Sequence, residues 1–225
     1  MKNSYKLTTV GTTLLLTALA GRAQAADSGE KFYVNVDAGG AFQTDIAIKN
    51  STGFVGPGGD IKFDTGFRAG VEFGYNFNQS FSAELEAGII RNTINQVGIQ
   101  DLSSVGADAE LDEIPLMVNG IYKIPLKGNF KPYVGVGVGA VVGIFDSSNI
   151  PGSSSDSNPK YSDADFTFAY QAEVGFKYEL GQNAELGLVY KFIGTTDHGW
   201  KDNNIELKAD GTMTHAIEAT FGWRF

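Results

Sequence analysis

From Lys31 to Phe225, apolar and polar residues alternate with a period of two, in about eight runs of ten or more residues. That is the period of a β-strand, whose successive side chains point to opposite faces. The first run sets Phe32, Val34, Val36, Ala38, Gly40 and Phe42 against Tyr33, Asn35 and Asp37. The second sets Phe63, Phe67, Ala69, Val71, Phe73, Tyr75 and Phe77 against Asp64, Arg68, Glu72 and Asn76. The third opposes Phe81, Ala83, Leu85, Ala87 and Ile89 to Ser82, Glu84 and Glu86, and the fourth opposes Ile114, Leu116, Val118 and Tyr122 to Glu113, Asn119 and Lys123.

The second half repeats the pattern. Val134, Val136, Val138, Ala140, Val142 and Ile144 alternate with Tyr133 and the glycines Gly135, Gly137, Gly139 and Gly143. Phe166, Phe168, Tyr170, Val174, Phe176 and Tyr178 alternate with Thr167, Gln171, Glu173, Lys177 and Glu179. Leu186, Leu188, Tyr190 and Phe192 oppose Glu185 and Lys191. The last run sets Met213, His215, Ile217, Ala219, Phe221, Trp223 and Phe225 against Thr212, Thr214, Glu218, Thr220 and Arg224.

The connections alternate in length. Asn78-Gln79, Pro125 to Asn129 and Gly181 to Asn183 are tight turns, while Gln43–Ile61, Asn92–Asp108, Asp146–Asp163 and Thr195–Gly211 are long polar segments, predicted as loops. Short turns at one end and long loops at the other predict an eight-stranded antiparallel up-and-down transmembrane β-barrel. An eight-stranded barrel has room inside only for side chains that fill it, and this many aromatic rings would overfill it. The rings are therefore expected on the outside against lipid, with the charged face turned inward. Phe32, Tyr75, Phe77, Phe81, Tyr122, Tyr178, Trp223 and Phe225 are expected at the short-turn end, and Phe42, Phe63, Phe166 and Phe192 at the loop end. Lipid offers no hydrogen-bond partner, so the sheet must close on itself.

The inward charges expected to form an interior network are Arg68, Glu72, Glu84, Glu86, Lys123, Glu173, Lys177, Glu185, Lys191, Glu218 and Arg224. The inward glycines of the fifth run would leave room for long side chains opposite them. Composition adds a direction of travel. Lys2 and Lys6 precede an apolar run from Leu7 to Ala20, followed by Ala23-Gln24-Ala25, which reads as a signal peptide over residues 1–25 with the barrel domain over 26–225. The leader holds three bases and no acids, so its removal takes the formal charge from −9 to about −12, an unsuitable balance for binding nucleic acid. With no cysteine in the chain, neither a lipid-modified thiol nor a disulfide framework is expected.

One stretch is more specific. Ile114-Pro115-Leu116, then Gly120-Ile121-Tyr122, leads through a turn into Lys131-Pro132-Tyr133-Val134-Gly135-Val136-Gly137-Val138-Gly139-Ala140. It resembles the signature of the eight-stranded outer-membrane β-barrel superfamily that includes the OmpA transmembrane domain and the opacity-type surface proteins. Phe221-x-Trp223-x-Phe225 is similar to that family's C-terminal assembly signal. The resemblance implies a Gram-negative outer-membrane location, export through the Sec pathway, and contact with membrane lipid and lipopolysaccharide. It also implies barrel-assembly machinery and periplasmic chaperones as partners during biogenesis, and loops open to environmental or host ligands. It carries no cell-wall tethering role, since the chain stops at Phe225 without the soluble domain that follows the barrel in OmpA-type proteins.

Candidate chemistry is sparse. His198 and His215 are the two histidines, and Thr212 and Thr214 point away from His215 on a strand, so no serine-type site is expected. The Gly135-x-Gly137-x-Gly139 run lies within a strand, whereas a dinucleotide fingerprint needs glycines between a strand and a helix. Asp146, Asp156, Asp163 and Asp165 read as a solvated loop, and no cofactor or metal is expected. The reading is a non-enzymatic surface protein; the alternative is a narrow, mildly cation-preferring porin-like channel, because the inward acids outnumber the bases.

Overall fold

The computed structural model describes residues 31–51, 60–99, 102–147, 164–202 and 205–225. The expected leader with its Ala25 site, and Asp156 and Asp163 of the third loop, lie outside them. The side chains of Asp146 and Asp165 are likewise outside what is described.

Strands are the only regular elements among the described residues. In chain order they are β1 (Phe32–Gln43), β2 (Ile46–Ser51), β3 (Asp60–Phe63), β4 (Gly66–Asn76), β5 (Phe81–Ile99), β6 (Leu102–Lys123), β7 (Phe130–Ser147), β8 (Ala164–Glu179), β9 (Ala184–Thr195), β10 (His198–Asp202), β11 (Ile205–Ala209) and β12 (Met213–Arg224). Eight of them close a ring: β1, β4, β5, β6, β7, β8, β9 and β12 pair antiparallel in that order, and β12 returns to β1. At the seam Phe32 N–H donates to Phe225 O at 3.2 Å, and Phe225 N–H donates to Phe32 O at 2.9 Å. Every ring strand therefore has a neighbour on both sides, which leaves no open sheet edge along the wall.

The tight turns fall where the sequence places them. Asn78 folds its Oδ1 back to accept from the backbone N–H groups of Ser80 and Phe81, both at 2.8 Å. Gly128, with φ of 97°, supplies the left-handed residue between β6 and β7 that a side chain would strain.

The far end differs from the sequence reading. The segments read as loops over Gln43–Ile61, Asn92–Asp108 and Thr195–Gly211 carry strands. β5 and β6 continue past Asn92 and stay paired as far as Ile99 and Leu102. β2 with β3, and β10 with β11, form hairpins, and β11 pairs with β2 while β3 pairs with β5. Polar composition suggested irregular chain here, but a projecting backbone still needs hydrogen-bond partners, and neighbouring segments supply them. β6 has 22 residues, roughly twice the ~9–11 that a tilted strand needs to cross a hydrocarbon core. About half of it stands above the barrel proper.

The two faces of the wall invert the order of a soluble protein. Val136 and Phe166 on the outside are 69% and 71% exposed, whereas Arg68, Lys191 and Glu218 on the inside are 0% exposed. The outward rings gather at the ends, as expected. Phe32 lies 5.1 Å from Tyr75, 5.7 Å from Phe73 and 6.4 Å from Phe225, and Phe81 lies 5.1 Å from Tyr122, all at the short-turn end. At the other end Phe192 is 6.1 Å from Tyr170 and 5.2 Å from His215.

Inward glycines answer inward rings. A Cβ on Gly74 would fall on the Tyr33 ring, and one on Gly175 would meet the Tyr133 phenol, whereas one on Gly143 would meet nothing within 4 Å. Gly74→Ala is expected to destabilise the barrel by about 1–3 kcal/mol through overpacking, while Gly143→Ala stays near neutral. Urea unfolding of the refolded variants in lipid vesicles measures the difference.

Candidate functional site

The side chains that converge inside the ring form the candidate site. At its centre is Lys191, reached from β9. Its Nζ donates to a Glu72 carboxylate oxygen, to Asp37 Oδ2 at 3.1 Å and to Glu86 Oε1 at 3.3 Å. Glu218 and Glu173 lie farther out, at 3.7 and 3.9 Å. Arg68, from β4, pairs with Glu86 through one terminal nitrogen and with both oxygens of Glu218 through the other, at 2.6 and 2.7 Å. These bonds cross the lumen, joining residues of β1, β4, β5, β8, β9 and β12.

Neutral donors complete the centre. Asn119 and Gln171 donate their amide groups to Glu86 Oε2 at 2.6 and 2.8 Å, and Asn35 donates to Glu72 Oε2 at 2.7 Å. The Tyr33 hydroxyl donates to Glu84 Oε1 at 2.7 Å. Towards the short turns the sign changes. The Lys177 ammonium sits over the faces of Tyr33 and Tyr133, 5.2 and 5.3 Å from the ring centroids, and Lys123 sits 4.9 Å from that of Tyr33. This is cation–π stabilisation in a desolvated setting. At the mouth, Arg224 donates to Glu179 at 2.8 Å and lies 3.5 Å from Glu185, with Lys131 3.6 Å from Glu179.

The expected network residues therefore lie together, with Lys123 and Arg224 half-buried at the short-turn end and the other nine buried. Two features depart from the expectation of simple pairing. Asp37 and Glu113 are buried there as well, so that eight buried acids face three buried bases among the described residues. Glu113 stands alone near the loop end, accepting from Thr212 Oγ1 at 3.3 Å. The interior also holds apolar patches: Met117 with Val141 and Ala169, Ile121 with Tyr133 and Val189, and Ala41 with Ile90 and Ile193. Their sequence signal is the same period-two register as the charges, on the same inward positions. The fifth-run glycines do make room: a Cβ on Gly135 would meet the Glu173 side chain, and one on Gly137 would meet Asn119.

Of the two histidines weighed for catalysis, His215 is placed away from this cluster. His215 faces outward, its Nδ1 2.6 Å from the Tyr190 hydroxyl. The side chain of His198 lies outside what is described.

A closed ring with an apolar outer wall and a charged lumen has counterparts. The family model described as "Outer membrane protein beta-barrel domain" matches residues 11–225. The chain belongs to the outer membrane protein β-barrel domain family. Among curated proteins it is similar to a candidate adhesin of Rickettsia conorii, 26% identical over 173 residues, covering 74% of this chain and 70% of that one. Among solved structures it is similar to OprG of Pseudomonas aeruginosa, with a TM-score of 0.63 and 19% identity over 87% of this chain and 97% of the other. Neisserial surface protein A gives a TM-score of 0.54 at 16% identity, over 86% of this chain and 97% of the other.

This outer membrane β-barrel is accordingly a protein of the outer membrane. Its exposed rings and branched aliphatics meet acyl chains, the tight turns face the periplasm, and the long connections lie outside. An exposed pair between Arg91 and Asp112, at 2.7 Å on neighbouring outward positions of β5 and β6, fits the upper edge of the lipid band, where charge is again solvated.

Proposed function

We propose that this barrel is a non-enzymatic surface protein, in which the charged lumen fills the scaffold and the extracellular wall makes the contacts. The observation that carries this reading is the sheet built beyond the membrane. β2, β3, β10 and β11 join two separate connections to each other and to the extended β5–β6 hairpin. A paired sheet holds a defined surface where an unpaired loop would not, and function on such scaffolds resides in what the connections present. The similarity to a candidate adhesin supports contact with a host or environmental surface.

The test is adhesion. Purified barrel and a variant with the β2–β3 and β10–β11 hairpins shortened to tight turns are compared on cultured cells and on immobilised matrix. The variant is first checked for folding by its altered gel migration without boiling. Binding is expected to fall severalfold in the shortened form, and equal binding by the two would end the adhesion reading.

Other roles follow from the same family membership. Lipopolysaccharide is the proposed outer-leaflet neighbour. Phe221, Trp223 and Phe225, all outward on β12 and its end, are the proposed signal to the assembly machinery, with periplasmic chaperones acting before insertion. Residues 1–25 are the proposed Sec leader, so the mature protein is expected to begin at Ala26 on N-terminal sequencing. The acidic balance disfavours nucleic acid as a partner.

A second reading is favoured by the excess of buried acids: a narrow, cation-preferring channel. Planar bilayers separate the two. Reproducible conductance steps, with a reversal potential that shifts towards the cation value under a salt gradient, support the channel; a silent bilayer supports a filled lumen.

A further inference from the structure

Towards the loop end, beyond Lys191 and Arg68, the lumen changes character. Glu113 of β6 is 2% exposed, and the ladder sets it between Ile90 of β5 and Gly143 of β7. Ile90 packs with Ala41 and Ile193, and Val141, two residues from Gly143 on the same inward face, is buried as well. The carboxylate is thus held among aliphatic side chains. Its Oε1 accepts from Thr212 Oγ1 at 3.3 Å, while Oε2 is buried without a hydrogen-bond partner. Among the described residues no base pairs with it. A buried carboxylate left without a counter-charge is costly, which is why buried charges are found paired. A separate observation gives the missing partner a place. A Cβ on Gly143 would meet nothing within 4 Å, whereas one on Gly135, Gly137 or Gly139, the other inward glycines of β7, would strike Glu173, Asn119 or the β6 backbone. Of these four positions, the one left open is the one beside Glu113. Directly paired residues carry their Cβ atoms about 4.5–5.5 Å apart, so a group standing over Gly143 is within reach of the carboxylate.

We infer that the loop-end lumen binds a small primary alkylammonium ion, with its ammonium on Glu113 and its alkyl chain over Gly143 against Ile90 and Val141. The lining selects an organic cation. Calcium and magnesium need about six or more oxygen ligands in a shell, and here one carboxylate and one threonine hydroxyl stand among aliphatic chains. An ammonium needs a strong acceptor for an N–H, which Glu113 Oε2 supplies, and its hydrocarbon end is stabilised by the same aliphatic wall that a metal ion would find hostile. A neutral guest would leave the carboxylate unpaired, and an anion would be repelled by it. The site lies at the end where the long connections stand, so the guest arrives from outside the cell, and the crossing bonds of Lys191 and Arg68 fill the lumen beneath it. The inference is independent of what the extracellular wall binds.

The test uses the full barrel, refolded in detergent micelles with its isoleucine methyl groups labelled for NMR. Butylammonium chloride is titrated in at constant ionic strength. The Ile90 and Ile193 methyls are expected to shift saturably, while that of Ile121, in the separate patch with Tyr133 and Val189, stays in place. Butan-1-ol, which shares the chain and lacks the charge, should bind about tenfold or more weakly, the loss expected when a charge-assisted hydrogen bond becomes a neutral one or disappears. Glu113→Gln keeps the shape, removes the charge and should weaken butylammonium binding by a similar factor. Gly143→Val fills the open space and should abolish the saturable shift with Glu113 intact. Unboiled gel migration verifies folding, and if either variant does not fold, the comparison of butylammonium with butanol on the parent decides. The proposal is overturned by the absence of a saturable shift at Ile90 and Ile193, by an equal shift at Ile121, by butanol binding as tightly as butylammonium, or by a folded Glu113→Gln or Gly143→Val barrel that keeps the parent affinity.

Discussion

Replacing Lys191 with methionine is expected to destabilise the barrel by about 3–5 kcal/mol, the range for removing one partner of a buried ion pair. The side chain is fully buried and its ammonium is, among the described residues, the only group that bonds Glu72, Asp37 and Glu86 together. Methionine matches much of its length, so the loss is of charge rather than of volume. Arg68 remains, but its two terminal nitrogens are already directed at Glu86 and Glu218. Asp37 and Glu72, diagonal neighbours on the paired strands β1 and β4, would then lie side by side without a cation. The measurement is equilibrium urea unfolding in lipid vesicles, read by tryptophan emission and by gel migration. Adding Glu72→Gln to Lys191→Met should recover part of the loss, because it removes one of the carboxylates left unpaired. A Lys191→Met variant within about 1 kcal/mol of the parent would mean that the lumen is wet enough to screen these charges, as at a protein surface.

That experiment also weighs what the sequence makes legible. Arg68, Glu72, Glu86, Glu218 and Lys191 all reveal their direction through parity alone, since a strand has only two faces and the opposite one is filled with rings. Which of them meet is a different matter. Partners such as Arg68 and Glu218 are 150 residues apart in the chain and not on paired positions. They touch because both lie opposite Gly39 of β1, Arg68 on one side and Glu218 on the other, a register that exists only once β1 has paired with both β4 and β12 and that no one run contains. Asp37 shows the same limit: its register facing inward is plain, but nothing local marks it as a partner of Lys191. The apolar patch of Met117, Val141 and Ala169 sits on inward positions that parity also identifies, and it is overlooked when a face is characterised by its charges.

The extracellular strands are the larger departure. Asn92–Asp108 is rich in residues that turns favour, and composition alone assigns it to a loop. Its backbone pairing continues from β5 and β6, whose ladder within the membrane is already formed, so extension needs no new nucleus. β2 and β11 depend instead on each other across more than 150 residues, a pairing that no local pattern contains. Segments that lack a lipid-facing row of rings have no period-two signal to read.

Val138→Arg is the expected counterpart on the outer wall. Val138 is 55% exposed near the middle of β7, between the ring cluster of Phe130 and Phe176 at one end and Phe166, which lies opposite Val142, at the other. In a bilayer that position lies close to the midplane, where an arginine on the lipid face of a barrel costs about 2–4 kcal/mol, falling to about 0–1 near the interfaces. Phe166→Arg, at the loop end of β8, is therefore expected to be nearly neutral apart from the ring it removes. The depth dependence is the decisive readout. A wall facing water would tolerate both arginines equally, and a wall packed against protein would tolerate neither. Unfolding free energies of the two variants, measured in vesicles of two acyl-chain lengths, should diverge more in the thicker bilayer, because Val138 then lies farther from water while Phe166 still reaches the boundary. Equal losses at both depths, or losses indifferent to lipid thickness, would remove lipid from the account of why Phe, Tyr and Val occupy the outside of this chain.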